Sequence, residues 1–301
     1  KSFLPEELSS LVIRSIVEDA QNYLGEEIEE AVISVPAYFH DEQRVAVKRA
    51  GALAGIHVER IVNEPSAAAL ASYFTANEEQ NMLVFDFGGG TLDVSLVDCF
   101  DTMVEIVSVA GNNRLGGDDF DRLIAEHFLR EHGVARQQLR AQEYAVLLKQ
   151  AERCKKLLSE QEEVVMHAMV GDQVYESTYT MDRLFEESKA LLKEIRQVIG
   201  RALKDGKMTI HDVDLVVMAG GSSKMPLIQK YIRHLFHKAP MVQGNCDELI
   251  ALGLGLVCGV KERKEEIKDY ILTDICPFSL GVATINEADP DRAYMANIIN
   301  R

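Results

Sequence analysis

The densest group of chemically useful side chains lies in one short segment, Asp86-Phe-Gly-Gly-Gly-Thr-Leu-Asp93. Successive glycines let neighbouring backbone N–H groups face one point without interference from Cβ atoms, which makes a cradle for an anion. Thr91 adds a hydroxyl donor, and carboxylates such as Asp86 and Asp93 can hold a hydrated Mg²⁺ or orient a water molecule. A tight hairpin turn with charged flanks is the structural alternative. The combination favours a nucleoside triphosphate site.

Two further glycine pairs occur next to predicted helix starts. In segment 216–226, a buried strand ends in Gly220-Gly221 and leads into a helix, whose N-terminus presents unpaired N–H groups and a positive dipole end. On its own this pattern is weak evidence for anion binding, and the presence of the first cradle strengthens it. In Leu115-Gly-Gly-Asp-Asp-Phe-Asp121 the acidic residues fit an ordinary first helical turn, so the structural interpretation is strong there.

A fourth group lies on one long predicted helix. Glu152, Lys155, Lys156 and Ser159 are three and four residues apart, which places them on neighbouring faces of successive turns. The spacing alone favours a solvated helix with ion pairs between its own side chains.

Composition argues against several classes of partner and location. The chain has 301 residues, with 32 Lys and Arg against 48 Asp and Glu, and a formal net charge of −16. Binding to nucleic acid or to an anionic membrane surface needs clustered cations, so neither partner is expected. The longest apolar run, 249–260, is shorter than the roughly 18 residues that span a bilayer, and no signal segment opens the chain. We therefore expect a cytoplasmic protein.

The cysteines and glycines also lack several known motifs. The five cysteines form no Cys-x-x-Cys pair, and no histidine cluster accompanies them, so we expect reduced thiols and no zinc site. Neither a P-loop motif nor a Gly-x-Gly-x-x-Gly motif follows a strand, which argues against the P-loop and Rossmann folds.

Hydrophobic periodicity predicts alternating helices and strands. Successive strand candidates at 82–87, 92–97 and 103–109 have the glycine triplet between the first two, which favours a hairpin. Other predicted strands are 31–35, 60–62, 164–170, 174–179 and 214–219. Predicted helices are 8–24, 42–54 with Asp41 as its N-cap, 65–74, 118–132, 141–159, 181–203, 226–236 and 247–260. The pattern indicates an α/β protein with a mixed sheet.

Five segments share their order and approximate spacing with one known family. They are Val35-Pro-Ala-Tyr-Phe39, Asn63-Glu-Pro-Ser-Ala-Ala-Ala69, Val84-Phe-Asp-Phe-Gly-Gly-Gly-Thr-Leu-Asp93, Leu115-Gly-Gly-Asp-Asp-Phe-Asp121 and Gly220-Gly-Ser-Ser-Lys-Met-Pro226. Over nearly the whole chain they resemble the ATPase domain of the DnaK-type heat-shock chaperones, the seventy-kilodalton class. Segment 271–282 is similar to that family's interdomain linker and the first strand of its peptide-binding domain, in the form of the HscC-like branch.

The resemblance implies an α/β, actin-like (ribonuclease-H-like) ATPase fold with two lobes around a nucleotide cleft. The family's N-terminal Gly-Thr-Thr motif and catalytic Lys have no counterpart here, so the resemblance implies a fragment that lacks the N-terminal part of lobe I, with impaired catalysis. The implied division is 1–77 for partial lobe I, 78–117 and 191–260 for the lobe II base, 118–190 for the upper subdomain of lobe II, 261–275 for the linker and 276–301 for the start of the peptide-binding β-domain.

The resemblance also implies a role for each site residue. Asp86, Asp93 and Glu64 would act in catalysis and hold Mg²⁺ through water, with Thr91 as a further catalytic residue. Gly88, Gly89, Gly90 and Thr91 would hold the phosphates of ATP or ADP. The other nucleotide contacts would come from Gly116, Gly117, Glu152, Lys155, Lys156, Ser159, Gly220, Gly221, Ser222, Lys224 and Asp247. Pro36 and Arg44 would relay the nucleotide state to the linker.

The implied function is ATP hydrolysis in a molecular chaperone that couples nucleotide state to binding and release of unfolded polypeptides. Implied partners are those clients, a J-domain co-chaperone and a nucleotide exchange factor. Lys156 and Lys224 stand where the family usually has Arg, which stacks better on adenine, so we expect weaker ATP binding. A non-catalytic nucleotide-binding or interaction module is one alternative. An actin-like sugar or acetate kinase is the other, and segment 271–282 argues against it.

Overall fold

Helices and strands alternate along most of the computed structural model, which describes residues 3–76, 79–171, 173–242, 246–264, 269–275, 280–286 and 289–299. The helices are α1 (Pro5–Leu24), α2 (Asp41–Ala54), α3 (Glu64–Ala76), α4 (Gly117–Glu131), α5 (Ala141–Leu157), α6 (Met181–Glu187), α7 (Lys189–Asp205), α8 (Pro226–Phe236) and α9 (Leu249–Lys261). The strands are β1 (Glu30–Val35), β2 (His57–Asn63), β3 (Gln80–Phe87), β4 (Leu92–Phe100), β5 (Met103–Asn112), β6 (Glu163–Val170), β7 (Gln173–Thr180), β8 (Leu215–Ala219), β9 (Ile271–Thr273), β10 (Leu280–Asn286) and β11 (Asp289–Ile299).

A five-stranded mixed sheet lies at the centre, in the order β8-β3-β4-β5-β9. β3, β4 and β5 form an antiparallel meander, as the three successive strand candidates predict. β8 joins β3 in parallel, and the short β9 joins β5 in parallel. The prediction of a mixed sheet is therefore confirmed, and part of the predicted linker forms one of the sheet's two edges.

Both faces of the central sheet are buried, because alternate residues of β3 point into two different cores. Leu83, Phe85 and Phe87 pack into one core with side chains from α4, α5, α7 and α8. Met82 and Val84 pack into the other, with side chains from α3 and α9. A strand that is covered on both faces reads as a continuous apolar run, which explains the sequence of β3.

Smaller strand pairs lie outside this sheet. β1 pairs with β2 in parallel, and α1 packs on α2 beside them. β6 and β7 form the predicted antiparallel hairpin, of which residue 172 lies outside the described part. β10 and β11 are an antiparallel pair in the segment expected to begin the peptide-binding domain.

Two predicted details of the helices are wrong. The helix expected over 181–203 is two helices, because the buried Ser188 leaves helical geometry and donates its hydroxyl to the Phe185 carbonyl at 3.2 Å. Such a bond competes with the helical backbone. Asp41 is not an N-cap but the first residue of α2; His40 precedes it in extended geometry, and its N–H donates to the Gln43 side chain at 3.1 Å.

The cysteines agree with the expectation of reduced thiols where the structure describes them. Cys99, Cys154 and Cys246 are buried free thiols, and Cys258 is a half-buried one. Cys276 lies outside the described residues. Among the described helices, none combines the length and apolarity needed to cross a bilayer.

Candidate nucleotide and magnesium site

The glycine triplet forms the tight hairpin between β3 and β4. The N–H of Gly88 donates to the carbonyl of Thr91 at 3.0 Å, and Asp86 and Asp93 face each other across the strand pair. Gly89, Gly90 and Thr91 are exposed at the tip. The tight hairpin turn that the sequence offers as the structural alternative is therefore present. The same turn still leaves backbone amides available to an anion.

Three half-buried carboxylates lie together behind this turn. Burial raises the pKa of Asp86 to about 6. Burial and the charge of Asp86 raise the pKa of Asp93 to about 6. Glu64, the first residue of α3, has its pKa raised to about 7 by burial and by the charges of Asp86 and Asp93. The structure therefore brings together the three residues expected to act in catalysis and to hold the metal.

This cluster fits a hydrated divalent cation. Oδ1 of Asp93 is buried and has no hydrogen-bond partner among the described residues. Gly111 lies directly against it, since a Cβ on Gly111 would stand 2.6 Å from that oxygen. No three His, Cys, Asp or Glu side chains in the described part are placed to ligate one ion together. Mg²⁺ keeps several of its waters, so contact through water suits these carboxylates.

The three glycine segments meet at the turn through contacts that exclude side chains. Gly220 has a φ of +81°, and a Cβ there would lie 2.5 Å from the Phe87 carbonyl oxygen and 2.6 Å from Oδ1 of Asp86. A Cβ on Gly116 would lie 2.2 Å from the Gly89 carbonyl oxygen, and one on Gly117 2.2 Å from Oγ of Ser222. The Gly116-Gly117 pair, which the sequence alone left as an ordinary helix start, therefore packs against both other segments.

A cavity of about 680 Å³ opens beside Gly89 between α4, α5 and the turn before α8. We call it the acidic cavity. Of the residues expected to contact nucleotide, it is lined by Gly89, Glu152, Lys155, Lys156, Ser159, Gly221, Ser222, Lys224 and Asp247. The structure thus gathers most of the expected nucleotide contacts around one space.

Each lysine in the acidic cavity is paired with a carboxylate. Nζ of the buried Lys155 lies 2.8 Å from Oδ1 of Asp121 and donates to the Gly117 carbonyl at 2.9 Å. Nζ of Lys156 lies 2.6 Å from Oε1 of Glu152, and Nζ of Lys224 lies 2.5 Å from Oδ2 of Asp247. The predicted helical ion pairing and the expected pocket therefore occur on the same helix.

The two expected relay residues lie away from the acidic cavity. Arg44 on α2 donates from Nη2 to Oδ1 of Asn63 at 2.6 Å and from Nε to the Phe39 carbonyl at 2.9 Å. Asn63 immediately precedes Glu64. Pro36 lines a second cavity of about 840 Å³, which also includes Thr91 and Asp93. We call it the Thr91 cavity.

The family model for Hsp70 protein matches residues 1–296. The chain belongs to the Hsp70 family. Its fold is the actin-like ATPase fold of that family's nucleotide-binding domain, as expected from the five segments. The resemblance to DnaK-type chaperones is thereby confirmed at the level of the family.

Curated relatives agree with this assignment. A chaperone protein dnaK3 of Thermosynechococcus vestitus is 40% identical over 295 residues, covering 95% of this chain and 43% of the relative. A chaperone protein dnaK of Cyanophora paradoxa is 39% identical over 293 residues, covering 94% of this chain and 47% of the relative. This Hsp70-family chain spans less than half the length of either relative.

Several residues of the site were not predicted. Asp118, Asp121, Glu160 and Met225 also line the acidic cavity of this Hsp70-family chain. Asp118 and Asp121 belong to a quoted segment, in which Asp118 fits an ordinary first helical turn and Asp121 was given no role. The place of Asp121 follows only from its three-dimensional contact with Lys155, because the two residues are far apart in the chain.

Proposed function

We propose that the chain is the ATP-binding and ATP-hydrolysing domain of a molecular chaperone that couples nucleotide state to binding and release of unfolded polypeptides. The observation that carries this proposal is the glycine turn of residues 88–90, placed between three half-buried carboxylates and the acidic cavity. The membership of the Hsp70 family supports the chaperone part of the proposal. The HscC-like branch and a cytoplasmic location are finer parts of the same proposal and rest on segment 271–282 and on composition.

The proposed binding mode assigns the nucleoside to the acidic cavity and the phosphates to the glycine turn. Backbone amides of Gly88–Gly90 and the hydroxyl of Thr91 would donate to the phosphate oxygens. The paired carboxylates and Ser159 would accept hydrogen bonds from the ribose and the base. Gly116, Gly117, Gly220 and Gly221 would let the backbone approach the ligand closely.

In the proposed mechanism the chain's own groups position water and phosphate, because phosphoryl transfer depends on positioning and electrostatics. A bound Mg²⁺ would supply neutralisation of phosphate charge. Oδ1 of Asp93, which lacks a partner among the described residues, would accept a hydrogen bond from the attacking water. Asp86 and Glu64 would hold the waters around the metal.

In this proposal, the linker is the segment that responds to the nucleotide bound at the site. β9 pairs with β5, and Oγ of Ser66 donates to Oδ1 of Asp274 at 2.5 Å, so the linker contacts the helix that begins with Glu64. Arg44, through Asn63, reaches the same helix start. We propose that nucleotide binding favours this docked linker, that hydrolysis releases it, and that a J-domain co-chaperone and a nucleotide exchange factor act on the cycle.

The domain organisation is part of the proposal. The ranges are 1–77 for lobe I, 78–117 and 191–260 for the lobe II base, 118–190 for its upper subdomain, 261–275 for the linker and 276–301 for the start of a peptide-binding domain. Packing of α4 on α5 and of α5 on β6 supports an upper subdomain.

Single-turnover hydrolysis tests the catalytic roles. In the protein at its natural length, Thr91→Ala and Asp86→Asn should each slow hydrolysis on the order of tenfold or more, because each removes a group that acts on the phosphates or the metal. Thr178→Ala, on an exposed face of the β6–β7 hairpin, is the matched control and should leave the rate unchanged. An ATP-binding protein with unaltered rates in both variants would refute these roles, and a protein that binds no ATP would refute the proposal.

A further inference from the structure

A buried histidine of α4 lies where that helix meets α6 and β7. His127 is 9% exposed, and its ring meets the ring of the buried Tyr179 edge-on, with centroids 5.3 Å apart. Tyr179 donates its hydroxyl to Oε2 of Glu187 on α6. None of these three residues lines the acidic cavity or the Thr91 cavity, so the proposed nucleotide site leaves them without a role.

The partners of the His127 ring fix which of its nitrogens carries the proton. Nε2 contacts Nη2 of Arg183, and a guanidinium can only donate, so Nε2 must accept. Nδ1 contacts Oε1 of Glu187, and a carboxylate can only accept, so Nδ1 carries the hydrogen. The imidazole is therefore neutral, in the Nδ1–H tautomer. In that form it joins α4 to α6 through contacts at both nitrogens.

Charged side chains face the imidazole from both helices. On α6, Nε of Arg183 lies 3.7 Å from Oε1 of Glu187. On α4 itself, Oε2 of Glu131 lies 3.6 Å from Nε2 of the imidazole, and Nη2 of Arg130 lies 3.3 Å from its Nδ1. From β7, the hydroxyl of Tyr179 adds no charge, because burial raises its pKa. Two arginines and two carboxylates thus balance one another only while the imidazole is neutral.

A second proton on His127 is incompatible with this arrangement. An imidazolium donates from both nitrogens, so its Nε2–H would point at the Nη2 donor of Arg183, and two cations would be in contact. Burial lowers the pKa of His127, an effect that the charge of Glu187 opposes and that of Arg183 reinforces. The ring can keep a second proton only if Arg183 leaves and Nε2–H donates to Glu131 instead.

We propose that His127 is a pH-sensitive latch in which the neutral imidazole holds α6 and β7 on α4, and protonation releases Arg183 and loosens both elements. Arg183 connects the latch to β7, because its Nη1 donates to the Thr178 carbonyl at 2.9 Å. Once undocked, the histidine takes up a proton near its ordinary pKa of about 6.5, so docking weakens as pH falls below about 6.5. The latch needs no bound nucleotide and goes beyond the proposed function.

Amide hydrogen exchange at about pH 7.5 and about pH 5.5, corrected for intrinsic rates, tests the latch. In the unmodified protein the protection of α6 and β7 should fall about three- to tenfold at the lower pH, since one proton taken up one pH unit below 6.5 gives at most about tenfold. His127→Gln can still accept from Arg183 and donate to Glu187 but cannot titrate, so it should show no fall. His132→Gln, the matched control on the same helix, removes a contact of 3.0 Å with Ser177 of β7 and should keep the fall.

A ¹⁵N spectrum of the selectively labelled histidines gives a second readout, which does not require a folded His127 variant. It should show His127 as the neutral Nδ1–H tautomer at about pH 7.5, and Arg183→Gln should raise the pKa of His127, because the cation beside Nε2 is gone. An Nε2–H tautomer, or a fall in protection that His127→Gln keeps and His132→Gln loses, would overturn the latch. So would protection of α6 that is equal at both pH values in the unmodified protein.

Discussion

At the scale of single residues, burial disfavours the ionised forms of Glu64, Asp86 and Asp93, and the charge of Asp86 adds to this effect at the other two. Their pKa values of about 7, 6 and 6 lie above those of exposed carboxylates. The folded protein therefore holds protons that the unfolded chain has already released at the same pH. Without metal, the folded state should lose stability as pH rises from about 4 through about 7.

Asp93→Asn isolates this effect. In excess chelator the variant should come closest to the unmodified protein near pH 4 and exceed its free energy of unfolding by about 1–2 kcal/mol at pH 8, because it removes a charge that is costly to bury. Added Mg²⁺ should stabilise the unmodified protein more than the variant at pH 8. Denaturant unfolding at both pH values measures this, with Glu126→Gln on the exposed face of α4 as control. A variant that is less stable at pH 8 in chelator would contradict the assignment.

The lysines of the acidic cavity predict a second residue-scale effect. Lys224 is half-exposed and paired with Asp247. In Lys224→Arg, the guanidinium can keep that pair with one edge and stack its plane on a base, for a gain of about 0.5–1 kcal/mol. ATP should bind about threefold more tightly by titration calorimetry. Lys230→Arg, on the exposed face of α8, should have no effect, and weaker binding in Lys224→Arg would count against stacking.

At the scale of elements, the contact between α3 and α9 depends on one glycine. A Cβ on Gly253 would lie 1.9 Å from the carbonyl oxygen of Ala67, so the helices must separate to admit it. Gly253→Ala should lower the free energy of unfolding by about 3 kcal/mol or more. Gly255→Ala, on the same helix with open space around it, should raise that energy by about 0.5–1 kcal/mol. Denaturant unfolding compares them, and equal effects would refute the close packing.

The elements also explain what the sequence can and cannot predict. The apolar run of β3 and the glycine triplet predict the central hairpin, because both signals are local. Ser188 interrupts a helix through a hydrogen bond to Phe185 that competes with the local helical pattern. The role of Asp121 depends on Lys155, which lies in another helix, and no local pattern indicates that contact. The resemblance to the family, and not any local pattern, predicts the adenosine side of the proposed site.

At the scale of the whole molecule, the segment proposed as the linker contacts both the central sheet and α3. Ile271 donates its N–H to the Thr102 carbonyl at 2.9 Å at the edge of the central sheet. Asp274, at the other end of β9, accepts from Ser66 near the start of α3. Tyr270 packs beside Tyr73 of the same helix, with ring centroids 6.0 Å apart. The state of α3 and the docking of the linker are therefore physically connected.

Removal of the Ser66 hydroxyl should undock the linker without disturbing the sheet. The bond joins a nearly fully buried hydroxyl to a carboxylate, and a hydrogen bond to a charged group contributes about 1.5–3 kcal/mol. Ser66→Ala and Asp274→Asn should each speed amide hydrogen exchange in β9 about tenfold or more. Exchange in β3 and β4 should stay unchanged. Asp269→Asn, which removes a carboxylate from the same segment, is the matched control. Docking that survives both variants would show that β9 is held by its pairing with β5 alone.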